Sequence, residues 1–508
     1  MSGAVPRAPS VIGAGQRQML AVTGRLLAAI AAGVATTVGA YAVHPLLVPA
    51  AMLAAALMSC TLSRPEVGIA AWFALVPLGA VGALGQPPWL VPSLWALFLF
   101  IVAIGPGTDL GSAPRLPPLS LPILLLLVVT LIQSALTDTL SAAFPVVRVL
   151  VVGALMFFAI ALLVRERRHF VWVLSGMAAG AGLVGAVALR EWTEGGSTVG
   201  FITQSGELVG RVSGGFGQPN ALAGFLVVLV PFCAAGAILA RRGRVLLWAA
   251  AVLAVAGIYL SLSRGALLGL AVVPLAFLGL RRSLLVAPLL IVLAVAVTPN
   301  ILRERFATAS LQGSEAATRI DIWSTAVFIW EANPLLGVGP GGFPAAYATV
   351  RVPGKQFLPS RQFESPPHAH NIVLQFLSEQ GLLGLTAFGL IMGLAIRALT
   401  RVRRTADPWM KLSAAALLAA LAAFTVHNML DVTLLEGTGL EFWAILGLVS
   451  ALAALSQRQG TTAATGHPGG AQRERPSGAA ARRGPGALSR AQPRGRPPAQ
   501  RVGRVHRR

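Results

Sequence analysis

The chain has 508 residues, of which 55% are hydrophobic and only 11% are charged, and its mean hydropathy is +0.74. Soluble domains carry about 25% charged residues, so a water-soluble globule of this size is excluded. The formal net charge is +22, but residues 456–508 alone hold 12 Arg and one Glu. Half of the excess charge therefore sits in one tail, which argues against a nucleic-acid-binding surface. Cys60 and Cys233 lie in apolar stretches, so we expect neither a disulfide framework nor a cysteine metal site.

Apolar runs long enough to cross a bilayer, about 20 residues, recur along most of the chain. We predict fourteen spans, or twelve if the short ones at 89–104 and 265–280 do not cross the membrane. They lie at 20–43, 45–62, 67–84, 89–104, 119–137, 144–164, 170–189, 220–240, 245–262, 265–280, 283–299, 372–396, 412–430 and 438–456. The sequence thus predicts an all-α polytopic membrane protein with about 12–14 transmembrane helices.

The loops between these spans alternate in charge. With the N-terminus, one set holds 18 basic residues, whereas the short loops of the other set, such as 138–143 and 431–437, hold none. Because basic loops stay in the cytoplasm, both termini are expected there. The predicted organisation is a cytoplasmic N-terminus (1–18), transmembrane helices (19–299) with an outer loop at 190–219, a large outer loop (300–371), C-terminal transmembrane helices (372–456) and a disordered basic cytoplasmic tail (457–508).

The large outer loop is too long for a simple connection, and long loops in compact proteins are usually functional. It contains a helix-like stretch at 314–332 and a glycine-rich turn at 337–342. This turn follows no βαβ unit, so it does not indicate a nucleotide site.

Four segments bring ionisable side chains to the outer face, where such groups are expensive to place and are functional candidates. The candidates are Arg211, Arg264, Arg319 and His370. A guanidinium binds phosphate oxygens in a bidentate way and never loses its charge. A neighbouring histidine can accept a proton from a hydroxyl near neutral pH. The set indicates a transferase that uses a polyprenyl-diphosphate-linked donor. No acidic pair or His-x-x-x-His cluster accompanies it, so we expect no metal and no cofactor.

Other interpretations of these residues stay open. Arg211 would also serve as an anchor to lipid headgroups, and Arg319 would also stack on Trp323 or pair with Asp321. His368 follows two prolines and is best interpreted as capping a turn.

The helix predicted after His370 carries a polar face. Its members are Asn371, Gln375 and Glu379, spaced at helical intervals. A carboxyl group two turns inside a span faces protein or water rather than lipid. Glu379 and Asp431 would alternatively form a proton path, which supports a secondary transporter for an anionic solute.

Several of these segments resemble the O-antigen ligase and polymerase-like membrane glycosyltransferases. His370-Asn371, nine residues, Gly381, two residues and Gly384 is similar to the signature of the ligases. Further similar segments are Arg211-Val-Ser-Gly214, Gln218-Pro-Asn220, Ser263-Arg-Gly265, Arg319 with Trp323, and Asn333–Gly341. The resemblance covers about residues 205–390. The combined pattern, rather than any single segment, is specific for this family.

The resemblance implies a metal-independent, inverting glycosyltransferase in the bacterial inner membrane, with its active site facing the periplasm. His370 would act as the general base on the acceptor hydroxyl. Arg211, Arg264 and Arg319 would bind the diphosphate of an undecaprenyl-diphosphate-linked glycan. Supporting positions would be His368, Asn371, Gln375 and Glu379. The large loop 300–371, periplasmic in this orientation, would close over donor and acceptor.

The acceptor implied by a ligase is lipid A-core, which makes lipopolysaccharide biosynthesis the expected context. A polymerase that extends a glycan and a protein O-oligosaccharyltransferase use the same donor and remain alternatives. A transporter is expected to carry its arginines near mid-bilayer on broken helices. Nucleic-acid binding is not expected, because the basic tail is cytoplasmic and has no interleaved aromatic residues.

Overall fold

The computed structural model describes residues 47–79, 90–105, 116–137, 140–195, 200–202, 208–240, 242–278, 315–350, 366–405, 407–435 and 439–465. The predicted N-terminus (1–18), the spans predicted at 20–43 and 283–299 and most of the predicted tail lie outside these residues. Residues up to Gly460 form one compact unit. Of the second unit, which begins at Thr461, the structure describes only 461–465, as helix.

The described residues form an almost entirely helical protein. The helices are α1 (Leu47–Ser63), α2 (Pro65–Gly79), α3 (Leu90–Ile104), α4 (Ser120–Leu136), α5 (Leu140–Leu163), α6 (Arg167–Thr193), α7 (Pro219–Leu239), α8 (Arg244–Leu260), α9 (Arg264–Leu278), α10 (Glu315–Ala332), α11 (Phe343–Thr349), α12 (Ile372–Val402), α13 (Pro408–Asn428) and α14 (Leu440–Thr465). A helix is found at every predicted span that falls within the described residues. The protein is an all-α polytopic membrane protein, as the composition predicts.

Six of the described helices are long and apolar enough to cross a membrane by length and composition. They are α5, α6, α7, α12, α13 and α14. Shorter apolar helices, including α3, α4, α8 and α9, pack among them. The last helix continues to Thr465, beyond the end predicted at 456.

A single hydrophobic core joins most of the helices. Its centre is α7, whose side chains are buried along almost the whole helix. This helix packs against α6, α8 and α13, and α9 lies along α13. Because the side chains of α7 are buried on all sides, this helix lies inside the bundle rather than against lipid.

The two predicted outer loops contain structure of their own. In the first, strands β1 (Gly200–Ile202) and β2 (Leu208–Gly210) pair in antiparallel register, Gly200 with Gly210. In the second, the helix predicted at 314–332 is found as α10, and α11 follows it. Both helices pack on the beginning of α12 through a small apolar cluster that includes Ile322, Phe343 and Ala369.

Helix α12 is broken at Gly381, where the backbone adopts φ 62° and ψ −161°. A Cβ atom at this position would lie 2.3 Å from the carbonyl carbon of Leu335. The positive φ and the close backbone approach each favour glycine. This residue is the first glycine of the signature pattern, so the pattern marks a break in a membrane helix.

The backbone groups that this break frees are paired by the segment 334–339. Leu382 and Leu383 donate to the carbonyls of Pro334 and Leu335 (2.9 and 3.3 Å), while Val338 and Gly339 donate to the carbonyls of Ser378 and Glu379 (both 2.9 Å). Unpaired backbone groups at membrane depth are strongly unfavourable. The glycine-rich segment therefore completes α12, and the loop and the helix depend on each other.

Helix α4 also binds both the broken part of α12 and the segment 334–339. The side-chain amide of Gln133 donates to the carbonyls of Leu336 and Gln380 (3.0 and 2.9 Å). Thr130 donates from its hydroxyl to the side-chain oxygen of Gln380 at 3.2 Å. Three elements thus share one buried polar junction just below the entrance to α12.

Replacing Gly381 by alanine should destabilise the protein by about 1–3 kcal/mol, because the new side chain needs a strained backbone and meets Leu335. Tryptophan-monitored thermal unfolding of the detergent-solubilised protein measures this. Gly389→Ala is the matched control on the same helix, since a Cβ there meets nothing within 4 Å. Equal unfolding temperatures for the two variants would contradict the proposed role of the break.

Candidate active site

The entrance to α12 is a tight turn that carries two histidines. His370 has a positive φ of 51°, which is uncommon for a residue other than glycine. The Nδ1 atom of His368 accepts from the backbone N–H of His370 at 3.3 Å, and the side-chain oxygen of Gln375 accepts from the N–H of Ala369 at 2.7 Å. The surrounding turn fixes this unusual conformation, as is common at functional sites.

Asn371 caps α12 directly after the turn. Its side-chain oxygen accepts from the backbone N–H groups of Val373 and Leu374 at 3.0 and 3.1 Å. Its amide also donates to the carbonyl of Met429 at 3.1 Å, just past the end of α13. One side chain thus starts α12 and ties it to the C-terminal end of α13.

Asp431 faces the two histidines from the turn after α13. Its Oδ1 lies 3.1 Å from Nδ1 of His370 and 3.8 Å from Nε2 of His368. The two imidazole rings are 4.3 Å apart between centroids and meet edge to face. The carboxylate is nearly buried, and His370 keeps 16% of its side chain exposed. The His370 side chain is thus the most exposed of the three, ahead of His368 at 11%.

Arg319 brings a permanent charge to the same turn. It lies on α10, is half-buried, and donates from its guanidinium to the backbone carbonyl of Leu430. Its charge is close enough to act on both His370 and Asp431. Carbonyls at a helix C-terminus carry partial negative charge, which makes this a favourable place for a cation.

The electrostatics of the cluster favour a neutral histidine next to an ionised carboxylate. Burial lowers the pKa of His370, the hydrogen bond to Asp431 raises it, and the charges of His368 and Arg319 lower it. Burial alone would raise the pKa of Asp431, but the hydrogen bond from His370 and the nearby positive charges hold it below its usual range. A neutral His370 that donates its Nδ1 proton to Asp431 keeps a basic lone pair on Nε2.

Arg211 lies in the segment between β2 and α7, at the same end of the bundle. Its side chain is buried, its Nε donates to the carbonyl of Ser261 at 2.8 Å and a terminal nitrogen donates to the side-chain oxygen of Asn220 at 2.9 Å. The arginine thus joins the α8–α9 junction to the N-terminus of α7. A plain headgroup anchor would be exposed, so the anchoring interpretation does not fit this arginine.

Arg264 is the first residue of α9 and is half-buried. Leu262, two residues before it, has a positive φ of 53°, as His370 does. The next residue, Gly265, packs so closely on α13 that a Cβ would lie 3.2 Å from the carbonyl oxygen of His427 and 3.3 Å from the Cβ of Leu430. The helix that begins with Arg264 therefore abuts the turn to which Arg319 donates.

His427 fills the seam where these helices meet. It lies on the last turn of α13, is fully buried, and sits against Gly224 of α7 and Gly265 of α9. Cβ atoms on the two glycines would come within 2.9 and 3.2 Å of its ring. The beginnings of α7 and α9 and the end of α13 thus form one compact junction, so the structure gathers all four predicted segments at one end of the bundle.

Glu379 lies deeper in α12 and contacts the glycine-rich segment rather than the histidines. Its Oε1 accepts from the backbone N–H of Phe343 at 3.2 Å, and its carboxyl group also interacts with Gly341 and Gln375. These contacts hold the glycine-rich segment and α11 against α12. Glu379 therefore supports the loop, whereas Asp431 pairs with the histidines.

Asp431 is the residue that the sequence interpretation assigned differently. The sequence offers it as one half of an alternative proton path with Glu379. In the structure its partners are His368 and His370. The signal available in the sequence was a carboxylate immediately after a predicted span, where charge is expensive. No sequence pattern near Asp431 indicates that it pairs with His370, which lies 61 positions earlier in the chain.

The same three residues bear on metal binding. One ligand atom from each of His368, His370 and Asp431 lies within 4.8 Å of the others, a set that could hold a metal ion. The expectation of no metal rests on the absence of an acidic pair or a His-x-x-x-His cluster in the sequence, whereas the fold brings Asp431 to the two histidines. Two histidines and a carboxylate also occur as ligands in catalytic zinc sites.

Comparison with known families gives a match to part of the chain. A family model described as O-antigen ligase matches residues 249–389, which include Arg264, Arg319, His370 and the break at Gly381. The match supports an O-antigen ligase-like family for this part of the chain. The class defined by the fold and the match is a polytopic membrane protein of glycosyltransferase type. No curated protein matches the chain.

Replacing Asn371 by alanine should destabilise the protein by about 1 kcal/mol, because the first turn of α12 loses its cap. Asn371→Ser keeps a capping oxygen and loses only the bond to Met429, so it should unfold closer to the wild-type temperature. Thermal unfolding of both variants in detergent measures the difference. If serine is as damaging as alanine, the bond to Met429 and not the cap is the important contact.

Proposed function

We propose that the protein transfers a glycan from undecaprenyl diphosphate to an acceptor hydroxyl, with lipid A-core as the acceptor. The observation that carries the proposal is the His370–Asp431 pair, because it lies where the arginine-bearing segments meet. The family match to residues 249–389 supports the reaction class. The predicted orientation places this end of the bundle at the periplasmic face of the inner membrane, with both termini in the cytoplasm.

In the proposed reaction, His370 acts as the general base. Its Nε2 accepts the proton of the acceptor hydroxyl while Nδ1 stays bonded to Asp431, which stabilises the imidazolium that forms. The hydroxyl oxygen attacks the anomeric carbon, and the bond from that carbon to the diphosphate oxygen breaks. Attack opposite the leaving group inverts the anomeric configuration. Undecaprenyl diphosphate leaves with the electron pair of the broken bond.

The leaving group is the part of the reaction that needs positive charge. Negative charge develops on the diphosphate as the bond breaks, and preorganised cations stabilise it. Arg264 and Arg319 are half-buried at the junction and are the first candidates for this role. Arg211 is more buried and is bonded to Ser261 and Asn220. The proposal assigns it a second role in binding the diphosphate, besides holding the start of α7. With a base and three cations supplied by side chains, the proposed transfer is metal-independent.

The test is transfer from purified undecaprenyl-diphosphate glycan by the full-length protein in detergent, with and without a chelator. Lipid A-core, free glycan and an acceptor protein are offered separately. His370→Ala should lower the rate by about 100-fold or more, because it removes the base, and Arg264→Ala should weaken donor use. His169→Ala is the matched control, since this histidine lies at the far end of α6 beside Glu66.

The outcomes separate the alternatives. Consumption of lipid A-core identifies a ligase, consumption of glycan a polymerase, and consumption of protein an oligosaccharyltransferase. Loss of transfer in chelator contradicts the metal-independent mechanism and makes His368, His370 and Asp431 the candidate ligands. Failure of the wild-type protein to bind undecaprenyl diphosphate favours the secondary transporter for an anionic solute.

The pH dependence of transfer should report the charges around His370. Because its pKa is lowered, the base form persists below the usual histidine range, and kcat/KM should fall only on further acidification. Arg319→Gln removes a charge that lowers this pKa, so the acid limb should move to higher pH. Asp431→Asn removes a group that raises it, so the acid limb should move to lower pH while the plateau rate falls.

The control for this pH series is Arg168→Gln, because Arg168 is exposed and pairs with Glu166 at the other end of α6. Its profile should coincide with that of the wild type. Shifts in the same direction for Arg319→Gln and Asp431→Asn would rule out His370 as the titrating base.

A further inference from the structure

The segment between β2 and α7 is held by a carboxylate that neither the family pattern nor the proposed mechanism uses. Glu191, near the end of α6, accepts from the backbone N–H groups of two consecutive residues. Its oxygens lie 3.0 and 3.1 Å from the N–H nitrogen of Ser213 and 2.7 Å from that of Gly214, and the Ser213 hydroxyl also donates to it at 3.2 Å. Hydrogen bonds to an ionised acceptor are stronger than neutral ones.

The local backbone explains why this segment needs an external anchor. Gly214, Gly215 and Gly217 all have positive φ, so the chain turns sharply several times within a few residues. Consecutive N–H groups in such a turn point to one side and form a concave site for an anion. Glycine segments are also conformationally permissive. The carboxylate of Glu191 fills that concave site and selects one conformation of the turn.

The segment is anchored at its other side by Arg211. Two residues before Ser213, the Arg211 side chain donates to Ser261 and to Asn220, as described above. The Glu191 contacts and the Arg211 contacts therefore bracket the same short stretch of chain.

We infer that Glu191 is a positioning residue for the donor diphosphate, which acts by holding the Ser213–Gly214 turn and thereby the Arg211 guanidinium in its binding position. This inference rests on the proposed function, because it assigns Arg211 to the diphosphate. Glu191 itself touches neither donor nor acceptor. Its loss should therefore weaken donor binding and leave the chemistry at His370 nearly unchanged.

The experiment compares Glu191→Ala and Glu191→Gln with wild-type full-length protein in detergent. The dissociation constant for undecaprenyl diphosphate and the donor KM should rise about tenfold in Glu191→Ala, within the usual coupling between residues of one network, while kcat changes less than about twofold. Glu191→Gln keeps one accepting oxygen and should show an intermediate increase. Glu194→Gln is the matched control: it lies at the same helix end, is exposed, and pairs with Arg190 at 2.8 Å.

A double-mutant cycle distinguishes positioning from a general effect on folding. If Glu191 acts through Arg211, Glu191→Ala should add little to the donor KM of an Arg211→Ala protein. Fully additive effects would overturn the inference, and so would a donor KM at the wild-type value in Glu191→Ala. If Glu191→Ala does not fold, the same criteria apply to Glu191→Gln.

The failure of this inference and that of the proposed function are distinguishable. Wild-type protein that binds no undecaprenyl diphosphate overturns both. Wild-type binding that Glu191→Ala and Glu191→Gln leave unchanged overturns only the role of Glu191. A parallel fall in unfolding temperature and kcat, without a change in donor KM, assigns Glu191 to folding alone and also overturns the inference.

Discussion

The geometry of the candidate site depends on how the backbone carbonyls at the C-terminal end of α13 find their hydrogen-bond donors. The last carbonyls of a helix have no partner within the helix, and in apolar surroundings they need donors from elsewhere. Arg319 of α10 supplies one donor and Asn371 at the start of α12 supplies another. Because both groups bind the same helix end, two distant segments are drawn to the turn that carries Asp431. The His370–Asp431 contact follows from this arrangement.

A second constraint is the break in α12. The glycine pattern after His370 places a left-handed residue inside a membrane helix, and the segment 334–339 pairs the backbone groups that the break exposes. The large loop is therefore part of the transmembrane structure rather than an appendage. Glu379 and Gln133 fasten the loop from two sides. The turn that carries His368 and His370 is consequently supported by contacts among a loop and two helices.

Much of this architecture could be predicted from the sequence. The length of the apolar segments predicts the positions of the membrane helices, and the helical pattern within the large loop predicts α10. The cost of charge near the membrane singled out Arg211, Arg264 and Arg319, and the signature pattern singled out His370, Asn371 and Gly381.

The remaining features depend on contacts between segments far apart in the chain. No local pattern reveals that Asp431 selects His370, that residues 334–339 pair with a broken helix, or that Glu191 fills a turn beside Arg211. The short β-hairpin in the first outer loop was also missed, since its strands are only three residues each. Apolar periodicity reports which face of an element is buried but not which partner buries it.

The wide spacing of the site along the chain has a consequence for biosynthesis. Arg211, Arg264, Arg319 and His370 are all translated before the turn that follows α13, and Asp431 comes 61 residues after His370. A chain emerging from the ribosome inserts its earlier helices first. Under the proposed function, a nascent or truncated chain would contain the donor-binding segments before it contained the partner of the base. Such incomplete chains would therefore be unable to consume the lipid-linked donor.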